Sequence, residues 1–413
     1  MPIQITDLSP DQSKAREDVL RLLKSGEPLV TLGGYAGTGK TTLLSVLSDD
    51  LRGEFGSLAF ACYTGKAKGV LESKLTQAGI LTEDDSISTL HKLLYKTTTE
   101  EVYNEKKKRR ELQPIHTEKG KKGKKGAGLI IVDEASMVDG EIFRCIQRLE
   151  VPILAVGDHG QLPPIRAGFN LMQNPMVRLE HIHRQAEGNP IIQCSIMARK
   201  QGMIPFGKQG ETVFKSADLA HLKRINEPHR FTILCGTNRV RCQVNAWMRA
   251  QAGYSGLPQP GERIICLKNN WTKEIYNGMY ATVVSVEMAE KNLPFEPESD
   301  HLLTLTAKTE DGREYTGKVL RDQFGAPKLI NYSPDPENLS LEAVSRLDAW
   351  DYGYALTVHK SQGSEFPNVY LIEEPAMRYV MSKEGNSQNW NRWLYTGVTR
   401  AKENLLITPG ITL

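Results

Sequence analysis

The stretch from Thr31 to Thr42 constrains the fold of this chain more than any other. It contains Gly34-x-x-x-x-Gly39-Lys40-Thr41, which has the spacing of a phosphate-binding loop. A short apolar segment (28–32) precedes the loop, and a segment with helical spacing of its apolar residues (41–47) follows it. Strand, glycine loop and helix therefore occur in the order that the motif requires. The alternative is a glycine-rich turn that happens to precede a lysine, and the flanking segments argue against it.

The residue types of this loop predict its chemistry. Gly34, Gly37 and Gly39 permit backbone angles that are closed to other residues, so the chain can wind around a phosphate. The N–H groups freed in this way, together with the helix N-terminus, would point at the anion. Lys40 adds a positive charge for the β and γ phosphates, and Thr41 offers a hydroxyl group to Mg²⁺.

Two further predicted strands end in polar residues. The apolar segment 129–132 is followed by Asp133 and Glu134. Functional groups gather at the carboxyl ends of parallel strands, so Asp133 is placed to hold Mg²⁺ through water and Glu134 to orient or deprotonate an attacking water. The strand at 151–156 leads to Gln161, which can sense a γ-phosphate or serve as a turn residue beside two prolines. The alternation of strands and helices predicts a doubly wound parallel sheet.

Composition excludes several classes of protein. A length of 413 residues, with 39% hydrophobic and 24% charged residues, is typical of a globular protein of two or three domains. No segment approaches the roughly 18 apolar residues of a membrane span, and the N-terminus lacks a signal-peptide pattern. The six cysteines are scattered and form no C-x-x-C pair, which favours a reducing compartment and argues against zinc. We expect a cytoplasmic protein, or one of the host cytoplasm if a phage encodes it, with no membrane partner.

The α/β rhythm divides the chain into four parts. Residues 1–190 form a first domain, interrupted by a polar, basic excursion at 95–127 that we interpret as a hairpin. Residues 191–261 and 346–413 form a second α/β domain. Between them, residues 262–345 contain short strands and an Asp311-Gly312 turn, which predicts a small antiparallel barrel. The net charge of +3 does not by itself imply nucleic acid, and on charge alone the basic runs are typical of a solvated loop.

Taken in order, these segments resemble the motif set of superfamily 1 helicases, and most closely the RecD/Dda-like branch. The resemblance covers almost the whole chain except the excursion and much of the barrel. Its most specific parts are 157–164 (Gly-Asp-x-x-Gln-Leu-Pro-Pro), 358–366 (Val-His-Lys-Ser-Gln-Gly-Ser-Glu-Phe) and 394–401 (Leu-Tyr-Thr-Gly-Val-Thr-Arg-Ala). It implies two RecA-like domains with ATP and Mg²⁺ between them, and an SH3-like fold for the barrel that guides the translocated strand.

The resemblance also assigns roles to residues of the nucleotide site. Gln12 resembles the glutamine that reads adenine. The nucleotide-facing set would be Gln12, Gly34, Ala36, Gly37, Thr38, Gly39, Lys40, Thr41, Thr42, Gly363 and Glu365, with Thr41 and Asp133 for the metal. The catalytic set would be Lys40, Glu134, Gln161, Arg184 and Arg400. Arg184 and Arg400 resemble arginine fingers that reach ATP when the domains close; either arginine could instead be a structural ion-pair partner.

For nucleic acid, the resemblance points to small polar side chains and to lysine and histidine, which suit a groove that follows the phosphates. These residues are Thr64, Lys66, Thr89, His91, Thr237, Asn238 and His359. Tyr63 stands where the family usually has proline; it could add a stacking ring, but we favour a core position. The excursion occupies the position of a strand-separating pin, with Tyr95 and Tyr103 as aromatic candidates, and a disordered basic loop is the alternative.

The resulting hypothesis is an ATP-dependent helicase that translocates on single-stranded DNA, with forked DNA as its substrate. A 5′→3′ direction rests on the resemblance alone. We expect a monomer, with replication or recombination proteins as further candidate partners. Two alternatives stay open: a helicase subunit of a larger recombination complex, and an ATP-gated protein that remodels nucleic-acid complexes without separating strands.

Overall fold

The computed structural model describes residues 7–104, 109–119, 126–164, 169–182, 188–217, 231–270, 273–291, 298–330, 347–383 and 387–410. The α-helices within this part of the chain are α1 (Pro10–Lys24), α2 (Lys40–Phe55), α3 (Gly65–Gln77), α4 (Leu90–Leu94), α5 (Gly140–Gln147), α6 (Pro190–Gln201), α7 (Asn238–Gln251), α8 (Pro375–Lys383) and α9 (Ser387–Val398).

The strands fall into two groups along the chain. The first group is β1 (Leu29–Gly34), β2 (Leu58–Cys62), β3 (Ser86–Thr89), β4 (Tyr95–Asn104), β5 (Arg109–Glu118), β6 (Leu129–Asp133), β7 (Ile153–Gly157) and β8 (Val177–Leu179). The second group is β9 (Gly207–Gln209), β10 (Val213–Lys215), β11 (Thr232–Cys235), β12 (Arg263–Cys266), β13 (Tyr280–Met288), β14 (Leu302–Thr309), β15 (Glu314–Leu320), β16 (Trp350–Tyr352), β17 (Ala355–Thr357), β18 (Phe366–Ile372) and β19 (Ala401–Thr408).

The first sheet has the strand order β3-β2-β6-β7-β1-β8, and every pairing in it is parallel. Successive residues of β6 face opposite sides: Leu129 and Ile131 pack with α1, α2 and α3, whereas Ile130 and Val132 pack with α4 and α5. Both faces are therefore covered by helices, as buried parallel strands require. The doubly wound parallel sheet predicted for this part is confirmed.

The second sheet has the order β17-β11-β18-β19-β10-β9 and is parallel except for β9. Helices α6 and α9 cover one face, where Trp390 and Trp393 stack with their ring centroids 5.0 Å apart. Helix α7 covers the other face through Val244 and Met248. The chain enters this sheet at β9 and returns to it at β17, with another sheet formed in between.

That intervening sheet is antiparallel, with the order β15-β14-β13-β12-β16. The predicted turn at Asp311-Gly312 joins β14 to β15, and Gly312 has a φ of +87°. The Asp348 N–H donates to the Lys318 carbonyl at 3.0 Å, so the chain entering β16 meets the opposite edge strand, β15. The Tyr315 hydroxyl reinforces this contact by donating to Asp348 at 2.7 Å.

The basic excursion forms a hairpin of two ten-residue strands, β4 and β5, in which Tyr95 pairs with Glu118. The predicted hairpin is therefore confirmed. Most of its basic residues, at 105–108 and 120–125, lie outside the described residues, and the side chain of Tyr103 is not described either.

Most of the cysteines lie in the cores of the fold. All six cysteines are free thiols, and five of them are buried as small apolar residues. In the part of the chain that the structure describes, no helix combines the length and the apolar character that crossing a membrane requires.

A buried ion pair holds α7 to the start of β12 and gives a prediction about stability. Arg249 donates to both oxygens of Glu262, at 2.6 and 3.0 Å, and Glu262 is fully buried. Replacing Glu262 with glutamine leaves the guanidinium buried without its countercharge, which we expect to cost about 3–5 kcal/mol of unfolding free energy. Urea denaturation followed by circular dichroism measures this cost.

The matched control is Glu298→Gln, which removes the exposed ion pair with Lys291. An exposed pair contributes about 0–1 kcal/mol, so this variant should unfold close to the wild-type midpoint. Equal, small losses of unfolding free energy in both variants would show that Arg249 finds other partners when Glu262 is replaced.

Candidate nucleotide site at the seam between the two parallel sheets

The phosphate loop joins β1 to α2, and its glycines are required for two different reasons. Gly37 and Gly39 have φ angles of +80° and +73°, as the sequence predicts. The same prediction for Gly34 is wrong, because its φ is not positive. A Cβ at Gly34 would instead lie 2.7 Å from Thr38 Oγ1 and 2.9 Å from Lys40 Cγ. Gly34 is needed for this close approach, which lets the loop close on itself.

The Lys40 ammonium group lies against the loop's own carbonyl oxygens. Its Nζ donates to Gly34 O at 2.7 Å and to Tyr35 O at 3.1 Å. Thr38 is buried and donates its hydroxyl to the same Tyr35 carbonyl at 2.8 Å. Phosphate oxygens are stronger acceptors than these carbonyls, so the charge is positioned for an anion at the N-terminus of α2.

Gln12 supports the loop from α1. Ser9 and Gln12 form a capping box at the start of this helix, in which Gln12 Oε1 accepts from Ser9 N at 3.0 Å. The other end of the same amide, Nε2, donates to Gly39 O at 3.2 Å. Gln12 is buried and links α1 to the loop in this conformation, and its predicted role in reading adenine stays a prediction.

Asp133 is the last residue of β6, the second neighbour of β1 in the sheet, and Glu134 follows it. Glu134 has a left-handed φ of +53°, which turns the chain sharply after the strand. Burial raises the pKa of both carboxyl groups, and Asp133 raises that of Glu134 further. The positive charges of Arg400 and Lys40 oppose this rise at Glu134. A lysine next to the first sheet and an arginine next to the second thus both affect the pKa of one carboxyl group.

Arg400 directly precedes β19 and is buried. Its guanidinium donates to Thr396 O at 3.1 Å, to Ser364 O at 2.9 Å and to Thr399 Oγ1 at 3.2 Å. Within the described residues it forms no salt bridge, which disfavours the alternative of a structural ion-pair partner. Arg184 lies outside the described residues.

Gln161 follows β7, which lies between β6 and β1. Its side chain is buried, and Nε2 donates to Asp158 Oδ2 at 3.4 Å. Gln161 Oε1 is buried without a hydrogen-bond partner among the described residues. An unsatisfied buried acceptor is unfavourable, so this oxygen is available to a donor that enters the site.

Direct contacts cross the seam next to these groups. The Tyr395 hydroxyl of α9 accepts from Ala36 N at 2.8 Å and donates to Asp158 Oδ2 at 2.6 Å. Leu162 donates its N–H to Thr396 Oγ1 at 3.0 Å and accepts from Gln362 at 2.9 Å. Sequence reasoning missed the roles of Tyr395 and Asp158, although both lie within motifs that it singled out.

A second group that sequence reasoning missed surrounds Tyr35 of the loop. The Arg199 guanidinium of α6 lies 3.5 Å from the centroid of the Tyr35 ring, and the His159 ring lies 4.1 Å from it on the first domain's side. Burial lowers the pKa of His159 to about 4, so this imidazole is neutral at pH 7. The sequence signal that could have found this group is Tyr35 itself, a large aromatic residue inside a glycine-rich loop.

The remaining nucleotide-facing candidates lie on both sides of the seam. Thr41 is exposed in the first turn of α2, and Thr42 follows it half-buried. Gly363 has a φ of +70°, and a Cβ there would lie 3.4 Å from Ala67 of α3. Glu365 pairs with Lys402 at 3.1 Å on the second domain.

Comparison with known families agrees with this geometry. Residues 7–213, half of the chain, match the AAA domain family, and residues 352–408 match the UvrD-like helicase C-terminal domain. The first match contains the phosphate loop and both carboxylates, and the second contains Tyr395 and Arg400. The chain belongs to the RecD/Pif1-like helicases of superfamily 1.

Individual relatives extend this result. The ATP-dependent RecD2 DNA helicase of Deinococcus radiodurans is 25% identical over 92% of this chain and 46% of its own length. The ATP-dependent DNA helicase dda of Enterobacteria phage T4 is 30% identical over 40% of this chain and 34% of its own length. This RecD/Pif1-like chain thus spans less than half the length of these two relatives.

Among solved structures, a Bacteroides Pif1 bound to single-stranded DNA has a TM-score of 0.54 and 18% identity, covering 97% of this chain and 93% of its own. A structure described as two coordinating Pif1 helicases at forked double-stranded DNA also has a TM-score of 0.54, with 20% identity, 98% of this chain and 93% of its own. At this identity the likeness shows the shared α/β fold.

The candidate nucleic-acid residues of this RecD/Pif1-like chain lie at the carboxyl ends of strands. Thr64, Thr89 and Thr237 are the N-caps of α3, α4 and α7, where each hydroxyl oxygen accepts a backbone N–H. Strands β2 and β3 are neighbours, as are β11 and β17, which precedes His359. The candidates therefore form two clusters, one on each parallel sheet.

Several of these candidates already have protein partners. Lys66 Nζ lies 3.3 Å from Glu310 of the inserted sheet and 4.8 Å from the Tyr280 ring centroid, and burial lowers its pKa. Asn238 Oδ1 accepts from Arg241 at 3.1 Å. Thr89 is only 4% exposed, which leaves its side chain little access to a ligand.

His91 and Tyr63 form a small aromatic contact beside the first cluster. His91 is exposed, and its ring lies edge-on to that of Tyr63 with centroids 5.8 Å apart. Tyr63 is half-buried and packs against the core beneath α4 and α5. This placement agrees with the favoured interpretation of Tyr63 as a core residue.

Proposed function

We propose that this chain is an ATP-dependent DNA helicase that hydrolyses ATP at the seam and translocates along single-stranded DNA. One observation carries the proposal: the Tyr395 hydroxyl of the second domain accepts from Ala36 N at 2.8 Å, which brings the segment that carries Arg400 to the loop that carries Lys40. The charges of Arg400 and Lys40 both oppose the rise in the pKa of Glu134. Phosphoryl transfer requires positive charge on the γ-phosphoryl oxygens, and an arginine supplies it well in a cleft that excludes water. A site built from both domains makes hydrolysis depend on their approach.

The residues fit a nucleotide with Mg²⁺. The glycine loop and the turned-in Lys40 are positioned for the phosphates, and the oxygen ligands of Thr41 and Asp133 suit a hard cation. No cluster of three or more metal-binding side chains occurs among the described residues, which agrees with a Mg²⁺ held largely by phosphates and water. When bound, Mg²⁺ would neutralise charge on the phosphates. In this proposal Glu134 orients the attacking water, Gln161 contacts the γ-phosphate, and Arg400 and Arg184 act as arginine fingers.

The two clusters of nucleic-acid candidates suggest how hydrolysis would move DNA. Thr64, Lys66, Thr89 and His91 belong to the first domain, and Thr237, Asn238 and His359 belong to the second. Opening and closing of the seam would change the distance between these clusters and so advance a bound strand. Lys66 must leave Glu310 before it can bind a phosphate.

Several finer points belong to the same proposal. The domain boundaries at 190, 261 and 345, an SH3-like fold for the inserted sheet, and a strand-separating role for the hairpin at 95–127 are proposals. Monomeric state, cytoplasmic location, and replication or recombination partners are proposals too. The names of the RecD2 and dda relatives, both ATP-dependent DNA helicases, support the choice of activity and not these details.

The test is a strand-separation assay on duplexes with a single 5′ or 3′ overhang. We expect ATP-dependent separation only from the 5′ overhang, with ATP hydrolysis stimulated by single-stranded DNA. Separation only from the 3′ overhang would contradict the direction. Stimulated hydrolysis without any separation would favour the remodelling alternative, and stimulation by RNA alone would overturn the choice of DNA.

A further inference from the structure

One peptide unit of the phosphate loop connects the nucleotide lysine to the second domain. This unit consists of the Tyr35 carbonyl and the Ala36 N–H. The carbonyl accepts from Lys40 Nζ at 3.1 Å, and the N–H donates to the Tyr395 hydroxyl at 2.8 Å. A ligand that draws Lys40 away from the carbonyl end of this rigid peptide plane therefore affects Tyr395 at the N–H end.

The Tyr395 hydroxyl continues the connection into the loop after β7. It donates to Asp158 Oδ2 at 2.6 Å, and the same oxygen accepts from Gln161 Nε2 at 3.4 Å. Asp158 Oδ1 accepts from Gly160 N at 2.9 Å, which fixes the carboxylate in the turn. A continuous series of hydrogen bonds thus runs from Lys40 to Gln161 through a residue of the other domain.

The direction of these bonds is determined by chemistry. A carboxylate can only accept, so the single phenolic proton must go to Asp158, and the phenolic oxygen then accepts from Ala36. Tyr395 is 1% exposed and Asp158 is 2% exposed, so water cannot replace either bond without cost. Breaking either bond would leave a buried polar group without its partner.

We propose that Tyr395 is a positioning residue that transmits nucleotide occupancy of the phosphate loop to the Asp158–Gln161 segment across the seam. This inference rests on the proposed function and identifies how nucleotide binding at the phosphate loop is coupled to Gln161. A phosphate that takes up the Lys40 ammonium removes one donor from the Tyr35 carbonyl and leaves the two from Thr38, its hydroxyl at 2.8 Å and its N–H at 3.3 Å. The balance of hydrogen bonds on this carbonyl changes, and the peptide plane tilts. Because Ala36 N–H moves with it, Tyr395 and Asp158 must follow, and Gln161 is reoriented.

Other contacts keep the seam assembled when the hydroxyl is removed. Leu162 is held independently by Thr396 and Gln362. The Tyr395 ring packs edge-on against Tyr35, with centroids 6.2 Å apart, and phenylalanine retains that ring. The variant Tyr395→Phe therefore removes the two hydrogen bonds while leaving the packing of α9 in place.

The chain offers a matched control. Tyr315 is also buried and donates to a buried aspartate, Asp348, at 2.7 Å, but it lies within the inserted sheet. The variant Tyr315→Phe removes the same kind of bond, with a comparable loss of stability, away from the seam. A difference in DNA stimulation between the two variants then reports the position of Tyr395 at the seam and not the general cost of a lost hydrogen bond.

The first measurement is steady-state ATP hydrolysis by the full chain, with and without single-stranded DNA. We expect Tyr395→Phe to keep the KM for ATP and the DNA-free kcat within about threefold, and to lose about tenfold or more of the DNA stimulation, which is within the usual range of coupling between sites. Tyr315→Phe should retain the stimulation. Retained stimulation in Tyr395→Phe overturns the proposal, as does an equal loss in both variants.

The second measurement is amide hydrogen exchange with ADP and no DNA, because ADP offers Lys40 a β-phosphate but offers Gln161 no γ-phosphate. ADP should change the protection of residues 157–162 in the wild type and in Tyr315→Phe, but not in Tyr395→Phe. If the nucleotide changes the protection of these residues in Tyr395→Phe as much as in the wild type, the inference is contradicted even if the wild type is an active helicase. A wild type without DNA-stimulated hydrolysis would instead contradict the proposed function itself, so the two failures are distinguishable.

Discussion

Replacing Lys40 with alanine lowers ATP turnover by about 10³-fold at saturating ATP and single-stranded DNA, because a charge aimed at the developing negative charge is lost. In the part of the chain that the structure describes, Lys40 Nζ donates to two carbonyls of its own loop, Gly34 O and Tyr35 O, so the fold should survive the change. Phosphate release measured on the purified full chain gives the turnover, and thermal unfolding verifies that the variant is folded.

Lys24→Ala is the matched control for this loss of a lysine. Lys24 pairs with Glu54 on the surface, at 2.9 Å, and a pair of this kind contributes about 0–1 kcal/mol. The control should hydrolyse ATP at the wild-type rate. Turnover by Lys40→Ala within about tenfold of the wild type, well short of the usual effect of such a group, would remove the assignment of the loop to catalysis.

Replacing Arg400 with glutamine should lower ATP turnover by about 10³-fold or more, the effect typical of losing an arginine finger. Glutamine retains amide donors for the carbonyl oxygens of Thr396 and Ser364, to which Arg400 donates at 3.1 and 2.9 Å. The charge is therefore removed with limited damage to the segment between α9 and β19. We expect ATP to bind nearly as tightly as in the wild type, measured by titration of a fluorescent analogue.

The exposed Arg321, in the inserted sheet, provides the control variant Arg321→Gln. It carries the same loss of charge and should leave turnover unchanged. Arg400→Gln with normal turnover would mean that Arg400 contributes no charge to catalysis. A loss of turnover accompanied by a loss of folding would be seen in the thermal midpoint and would assign Arg400 to structure instead.

The parts of the site that the sequence predicts are those whose chemistry is local. Lys40 lies next to the glycines that shape its loop, and Asp133 and Glu134 lie at the carboxyl end of the strand that positions them. A contiguous pattern is enough to predict such groups, because chain connectivity alone brings them together. The same holds for the Asp311-Gly312 turn.

The parts that the sequence did not predict depend on docking between distant segments. Tyr395 and Asp158 are separated by 237 positions, and Lys66 and Glu310 by 244. No periodicity along one segment shows which of its residues faces another domain. The strands β3 and β8, of four and three residues, are too short to carry a hydrophobic pattern and are stabilised by pairing with their neighbours. Gly34 is constrained by the Thr38 and Lys40 side chains and not by its own backbone angles.

The proposed function requires that one triphosphate is bound from both sides of the seam. A crystal structure of the full chain with a non-hydrolysable ATP analogue, Mg²⁺ and single-stranded DNA would show this directly. We expect Lys40 Nζ and the Arg400 guanidinium at hydrogen-bonding distance, about 2.7–3.2 Å, from oxygens of the same triphosphate. A nucleotide that contacts Lys40 while Arg400 lies in a separate pocket would contradict it.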